Sequence, residues 1–106
     1  MQTTSLADFD LLAKSAAETT YHLRLYISGI TPRSTAAIAN LKVICEAHLP
    51  NRYKLEIVDI YQEPRLAKAD QIVAVPTLVK LKPLPITRLI GDMSDTRKVL
   101  KGLNLQ

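Results

Sequence analysis

Apolar and polar positions alternate over residues 21–28. Leu23, Leu25 and Ile27 fall on one side, and His22, Arg24, Tyr26 and Ser28 on the other. A period of two is the pattern of a strand with one face turned to a core. Gly29 and Ile30 read as a turn. Thr31-Pro32 reads as a helix start, a hydroxyl cap followed by proline at the first helical position. The apolar period then lengthens: Ile38, Leu41, Ile44, Cys45 and Leu49 form one helical stripe that runs to Pro50. Residues 53–60 predict a second strand. Its late positions Ile57, Val58 and Ile60 are apolar on both sides, as in a strand covered on both faces. Pro64 opens a short helix over 65–70, and Pro76 interrupts the apolar run 72–75. Strands are predicted over 77–81 and 86–90, joined by Lys82-Pro83-Leu84-Pro85. Gly91-Asp92 turns the chain, Ser94 is expected to cap a last helix burying Val99 and Leu100, and Gly102 to end it.

Residues 1–20 differ from the rest, being rich in Ser, Thr and Ala. Leu6, Phe9, Leu12 and Ala16 recur at near-helical spacing, and Ser5 with Asp8 resembles a capping box. They read as an N-terminal extension, flexible or weakly helical, ahead of one domain over 21–106. The segment is either a frayed tail or a short helix that docks its Phe9 stripe on the domain or on a partner. A length of 106 residues suits one core, and 47% hydrophobic with 23% charged residues is an ordinary globular balance. The net charge of +4 is spread along the chain. No Lys/Arg run exceeds two residues and no aromatics interleave with them, which argues against a nucleic-acid partner. One cysteine, Cys45, excludes an intrachain disulfide and fits a reducing compartment. No apolar run is long enough to span a bilayer, and residues 1–5 lack the pattern of a signal peptide. A cytoplasmic protein with no membrane contact is expected.

The predicted order is βαβαββα. A parallel βαβ unit, a helix, a β-hairpin and a final helix make up the thioredoxin arrangement, and Val75-Pro76-Thr77 stands where such folds place a cis proline beside the first helix. A thioredoxin presents Cys-x-x-Cys between first strand and first helix, where the helix N-terminus lowers the thiol pKa. Here that stretch is Gly29-Ile30-Thr31-Pro32-Arg33-Ser34, without a thiol, and Cys45 lies on the apolar stripe as a small core residue. His22 and His48 are not at metal-ligand spacing and read as solvated; Asp59 and Asp92 read as turn caps; Ser34 has no base placed beside it by sequence. No enzymatic activity, metal or cofactor is expected.

Further residues carry a resemblance. Leu23-Arg24-Leu25-Tyr26-Ile27-Ser28-Gly29 is followed by Thr31-Pro32 and Ser34, then Val58-Asp59-Ile60, Pro64, Leu66-Ala67 and Asp70. Pro76-Thr77-Leu78, Pro83, Pro85, Ile90-Gly91-Asp92, Ser94, Lys98-Val99-Leu100 and Gly102-Leu103 follow in order. Over residues 21–105 the chain resembles the KaiB family of circadian-clock proteins. The resemblance implies a metamorphic protein. A ground state of order βαββααβ, a homo-oligomer such as a dimer or tetramer, rearranges into a thioredoxin-like monomer that docks on a KaiC-type ring ATPase. That form is also expected to meet a KaiA-like protein or compete with a sensor histidine kinase. A KaiC-independent stress-response or chaperone-like role is the alternative. Pro76, Pro83, Pro85, Gly102 and Asn104 lie in the part expected to change fold. Arg33, Lys54, Glu56, Arg65 and Lys68 are the candidate partner-interface residues, and Tyr26 and Tyr61 the candidate oligomer contacts, or else amphipathic residues at a strand edge. The sequence departs from the clock-type pattern at Ala36, Glu56, Gln71 and Asn104, where Arg, a basic residue, Lys and Asp are expected. Lost and reversed charges of this kind alter partner choice.

Overall fold

A computed structural model of the chain describes residues 19–105. The predicted element order is the observed one. Strand β1 (Tyr21–Ile27) leads into helix α1 (Pro32–His48), then β2 (Tyr53–Asp59), α2 (Pro64–Ala69), β3 (Thr77–Lys82), β4 (Thr87–Ile90) and α3 (Thr96–Gly102). The sheet order is β2-β1-β3-β4. β1 pairs in parallel with β2, Leu23 opposite Leu55, and antiparallel with β3, Leu25 opposite Leu78. β4 closes the sheet as a hairpin, Val79 opposite Arg88. The segment 1–18, with its expected helical stripe, lies outside the described residues.

Alternation along β1 splits the interior in two. Leu23, Leu25, Ile27 and Leu78 meet Ala37, Leu41, Ile44 and Cys45 of α1 and Val99 of α3 on one face. On the other, Tyr26, Val58 and Val79 pack against Leu66 and Ala67 of α2 and against Ile72 and Val75. Both faces of β1 are therefore covered, and Tyr26, placed by sequence on the outer side, is 0% exposed. β2 is an edge strand, yet both its faces carry packed residues, Leu55 on the α1 side and Val58 on the α2 side; only Ile57 among its apolar positions is exposed.

The helix starts follow local chemistry. The Thr31 hydroxyl accepts from the Ser34 amide at 3.0 Å, and the Ser34 hydroxyl accepts from the Thr31 amide at 2.8 Å. This reciprocal capping box, with Pro32 at the first position, fixes the start of α1; a cap of this type contributes about 1 kcal/mol. In α3 the cap is Asp95, not Ser94: Asp95 Oδ1 accepts from the Lys98 amide at 3.2 Å. Ser94 instead gives its amide to Asp92 Oδ1 at 3.0 Å, closing the turn before the helix. Gly102 is the last residue of α3, and a Cβ there would lie 2.5 Å from Leu89 Cδ1, so helix and hairpin approach closely where glycine stands. The positive φ beyond the helix falls on Asn104, at 60°.

Candidate protein-binding site

Two regions bear on function. The first lies where β1 ends and α1 begins. Ser28, Thr31, Arg33, Ser34, Val75 and Pro76 line a cleft of about 140 Å³. The Val75–Pro76 bond is cis, as are Lys82–Pro83 and Leu84–Pro85. Pro76 thus stands beside the N-terminus of α1 in the thioredoxin manner, with no sulfur in the cleft. Ser34 is buried, and its hydroxyl reaches the Gly29 and Thr31 carbonyl oxygens, each at 3.0 Å. These are structural bonds, and no base is among its partners. Cys45 is not among the residues of the cleft; it is buried in the core on α1, and burial pushes its thiol up to about 11, so thiolate is scarce near neutral pH.

The second region is the face that carries α2. The register sets His22 opposite Lys54 and Arg24 opposite Glu56, so the side chains of one β1 face and one β2 face share a layer with α2. Glu56 pairs with His22 Nε2 and lies 3.6 Å from Arg24 Nη2. Arg24 Nη1 donates to Asp70 Oδ2 at 3.0 Å, and the Tyr26 hydroxyl donates to the same carboxylate oxygen and to the Leu66 carbonyl at 3.2 Å. The chain His22–Glu56–Arg24–Asp70–Tyr26 therefore ties the edge strand through the centre of the sheet to the end of α2. The hydrogen bond from His22, with help from the Arg24 charge, holds the Glu56 carboxyl below its ordinary range. Burial, with the Asp70 carboxylate, pushes the Tyr26 phenol up to about 12, so it stays a donor.

The predicted interface and oligomer residues fall in four places. Lys54, Arg65 and Lys68 are exposed on this layer, with Glu56 half-buried at its centre. Arg33 is exposed in the first turn of α1, at the cleft and apart from them. Tyr61 is exposed just after β2, with its amide held by Asp59 Oδ1 at 2.9 Å. Tyr26 is neither at a strand edge nor at the surface. Its ring fills the second core, and it offers no oligomer contact in this fold. His22, read as solvated, instead hydrogen-bonds Glu56 of the neighbouring strand through its Nε2. Arg24 and Asp70 were missed as site residues, although an arginine on the outward positions of an apolar strand was the available signal. Among the described residues no cluster of His, Cys, Asp or Glu is arranged to hold a metal ion. No helix among them is long and apolar enough to cross a membrane.

The KaiB domain model matches residues 24–105. The chain belongs to the KaiB family. It is 49% identical over 86 residues to the circadian clock oscillator protein KaiB of Synechococcus elongatus, a match covering 81% of this chain and 84% of that one. It is 48% identical over 83 residues to the circadian clock protein KaiB3 of Synechocystis, covering 78% and 81%. By shape, this KaiB-family chain is similar to the N-terminal domain of Synechococcus elongatus SasA. The TM-score is 0.68 and the sequence identity 24%, covering 83% of this chain and 87% of that domain. It is similar also to the Drosophila melanogaster thioredoxin Deadhead, with TM-score 0.65, 12% identity, and coverage of 98% and 96%. The fold of this KaiB-family chain is thus thioredoxin-like, and its sequence is that of a clock-protein family.

Proposed function

We infer that the chain is a regulator that works by binding, docking in its thioredoxin-like form on a KaiC-type ring ATPase and modulating that protein's phosphorylation or output. The observation that carries this reading is the 49% identity to a circadian oscillator KaiB across four-fifths of the chain. Two features support it: the position where thioredoxins do chemistry holds a capping box, and exposed Lys54 on β2 and Arg65 and Lys68 on α2 lie on the same side of the sheet. An ion-paired base bordered by exposed cations suits recognition of an acidic protein surface. A KaiA-like protein or a sensor histidine kinase is a second partner on the same reading.

The reading includes a second fold, of order βαββααβ, adopted by a dimeric or tetrameric resting form. Pro76, Pro83, Pro85, Gly102 and Asn104 lie in the half that exchanges, and Tyr61 is the exposed aromatic available for the resting-state contact. Two such packings must lie within a few kcal/mol of each other, and the apparent affinity for the ATPase falls with the fraction of chain in the competent form.

The charge reversal Arg65→Glu with Lys68→Glu tests the docking layer. Both positions are exposed, so the fold survives, and the affinity for a KaiC-type ATPase of the same source is expected to fall about tenfold or more. Unchanged affinity, with the complex still forming, would remove α2 from the interface.

A further inference from the structure

The sheet ends at β4, and that edge is open. The Gly91 amide donates to the Pro76 carbonyl at 3.0 Å, and Leu89 lies opposite Leu78. Alternation of an antiparallel ladder then turns the backbone groups of Leu89 and Thr87 toward β3 and those of Arg88 and Ile90 outward. The same alternation sorts the side chains. Val79 packs in the second core, and its partner across the ladder is Arg88, so Ile86, Arg88 and Ile90 form one row on the α2 side. The row is bare: Ile90 is 52% exposed, Ile86 49%, and Arg88 is exposed between them. Pro85, which lacks an amide hydrogen, precedes the row, and Gly91, with φ 128°, ends it. We propose that the β4 edge between Ile86 and Ile90 takes up an extended segment of another protein as a fifth strand, and that this segment carries an acidic residue between two apolar ones at alternate positions.

Charge and register select that occupant. Arg88 Nε donates to the Asp70 carbonyl at 3.2 Å, which holds the guanidinium on the α2 side. The Asp70 carboxylate is taken by Arg24 and Tyr26, and among the described residues no carboxylate pairs with Arg88. An exposed cation thus stands between two exposed isoleucines. The strand that complements this row places apolar, acidic and apolar side chains opposite it. Strand addition reads a partner in this manner: main-chain bonds hold the segment, and alternate side chains choose it. A second copy of this chain fits poorly. With β4 antiparallel to itself, the one register that overlaps all three positions sets Ile86 against Ile90 and Arg88 against Arg88, and like charges directly opposite repel. An edge built only to discourage pairing would carry its charge without the two isoleucines.

The site lies at the opposite edge of the sheet from β2 and uses none of Lys54, Arg65 or Lys68. It requires no ATPase, so it stands or falls separately from that reading.

The probe is a short peptide with blocked ends in which valine, glutamate and valine alternate with threonine. Its sequence reads the same in both directions, so strand direction does not bias the result. Titrated to millimolar concentration into the isotope-labelled full chain, it is expected to shift the Arg88 and Ile90 amides saturably and to slow their hydrogen exchange several-fold, with Thr77–Lys82 reporting strand. The same peptide with lysine at its centre is expected to bind several-fold more weakly, a comparison that needs no variant. Arg88→Glu, at an exposed position, is expected to invert the preference. Absence of saturable shifts at β4, or shifts centred on β2, would overturn the proposal. So would equal affinity of the wild type for the two peptides, an unchanged preference in Arg88→Glu, or a Thr77–Lys82 segment that is helical at saturating peptide. Protection of the Arg88 and Ile90 amides that rises with protein concentration alone would also overturn it, placing a second copy on the edge.

Discussion

Lys80 occupies an environment that opposes its chemistry. It is 1% exposed on the α1 face of β3, opposite Leu23, and its Nζ donates to the Pro83 carbonyl at 2.6 Å. One neutral acceptor replaces the water shell of an ammonium, and burial accordingly lowers its pKa from the ordinary 10.5. The unfolded chain then holds this proton more tightly than the folded one, so this fold gains stability from Lys80 as pH rises toward 10.5 and is penalised below. Lys80→Met keeps the stem and removes the charge. It is expected to raise the stability of this fold by about 1 kcal/mol or more at neutral pH, read as a higher urea midpoint. A lower midpoint would show that the bond to Pro83 outweighs the desolvation. Neither Lys80 nor Tyr26 was legible as buried, for the same reason. Alternation assigns a residue to a face and says nothing of what covers that face. α2 covers Tyr26 from 40 residues away in sequence, as its hydrogen bond to Leu66 shows.

At the scale of elements, starts and turns were the most legible features, because their signals are local. Thr31-Pro32 with Ser34 specifies the start of α1 within four residues. The α3 start was displaced by one position because Ser94 and Asp95 are both good caps, and the choice rests on the Asp92 carboxylate that takes the Ser94 amide. Pairing between distant strands was not legible. The Glu56–His22 pair depends on the register of β1 against β2, 34 residues apart in sequence, and on Arg24 lying next along the strand. This pairing gives the edge of the sheet a pH dependence. The Glu56 pKa is lowered in the folded chain, so the unfolded state takes up the proton first as pH falls. The Glu56 carboxylate's contribution is complete above the ordinary value of 4.5 and is lost as pH drops through the folded value. Glu56→Gln is expected to flatten the acid limb of a stability-against-pH curve, with the two proteins converging at the acid end. Parallel acid limbs would mean that Glu56 makes no net contribution to this fold.

For the whole molecule, the thioredoxin-like architecture was legible because its order of elements and the position of Pro76 are both written in short motifs. That position holds no thiol, and the two faces of the sheet differ in the surfaces they present. One carries α2 with Lys54, Arg65 and Lys68 over an ion-paired base; the other carries α1 with an apolar groove. Exposed charge is legible only as composition until the fold gathers it. Lys54 and Lys68 lie on one side of the sheet because Val58 of β2 packs in the same core as Leu66 and Ala67 of α2, which no local pattern announces. On the function proposed, this KaiB-family chain acts as a thioredoxin-like binding module for a KaiC-type ATPase. The most direct test is to add the isotope-labelled full chain to each such ATPase of its source and to follow particle size together with the amide shifts of Thr77–Lys82. The expected result is a complex that builds up slowly, in which that segment is strand. A day of incubation without a complex, or a complex in which the segment is helical, would contradict it.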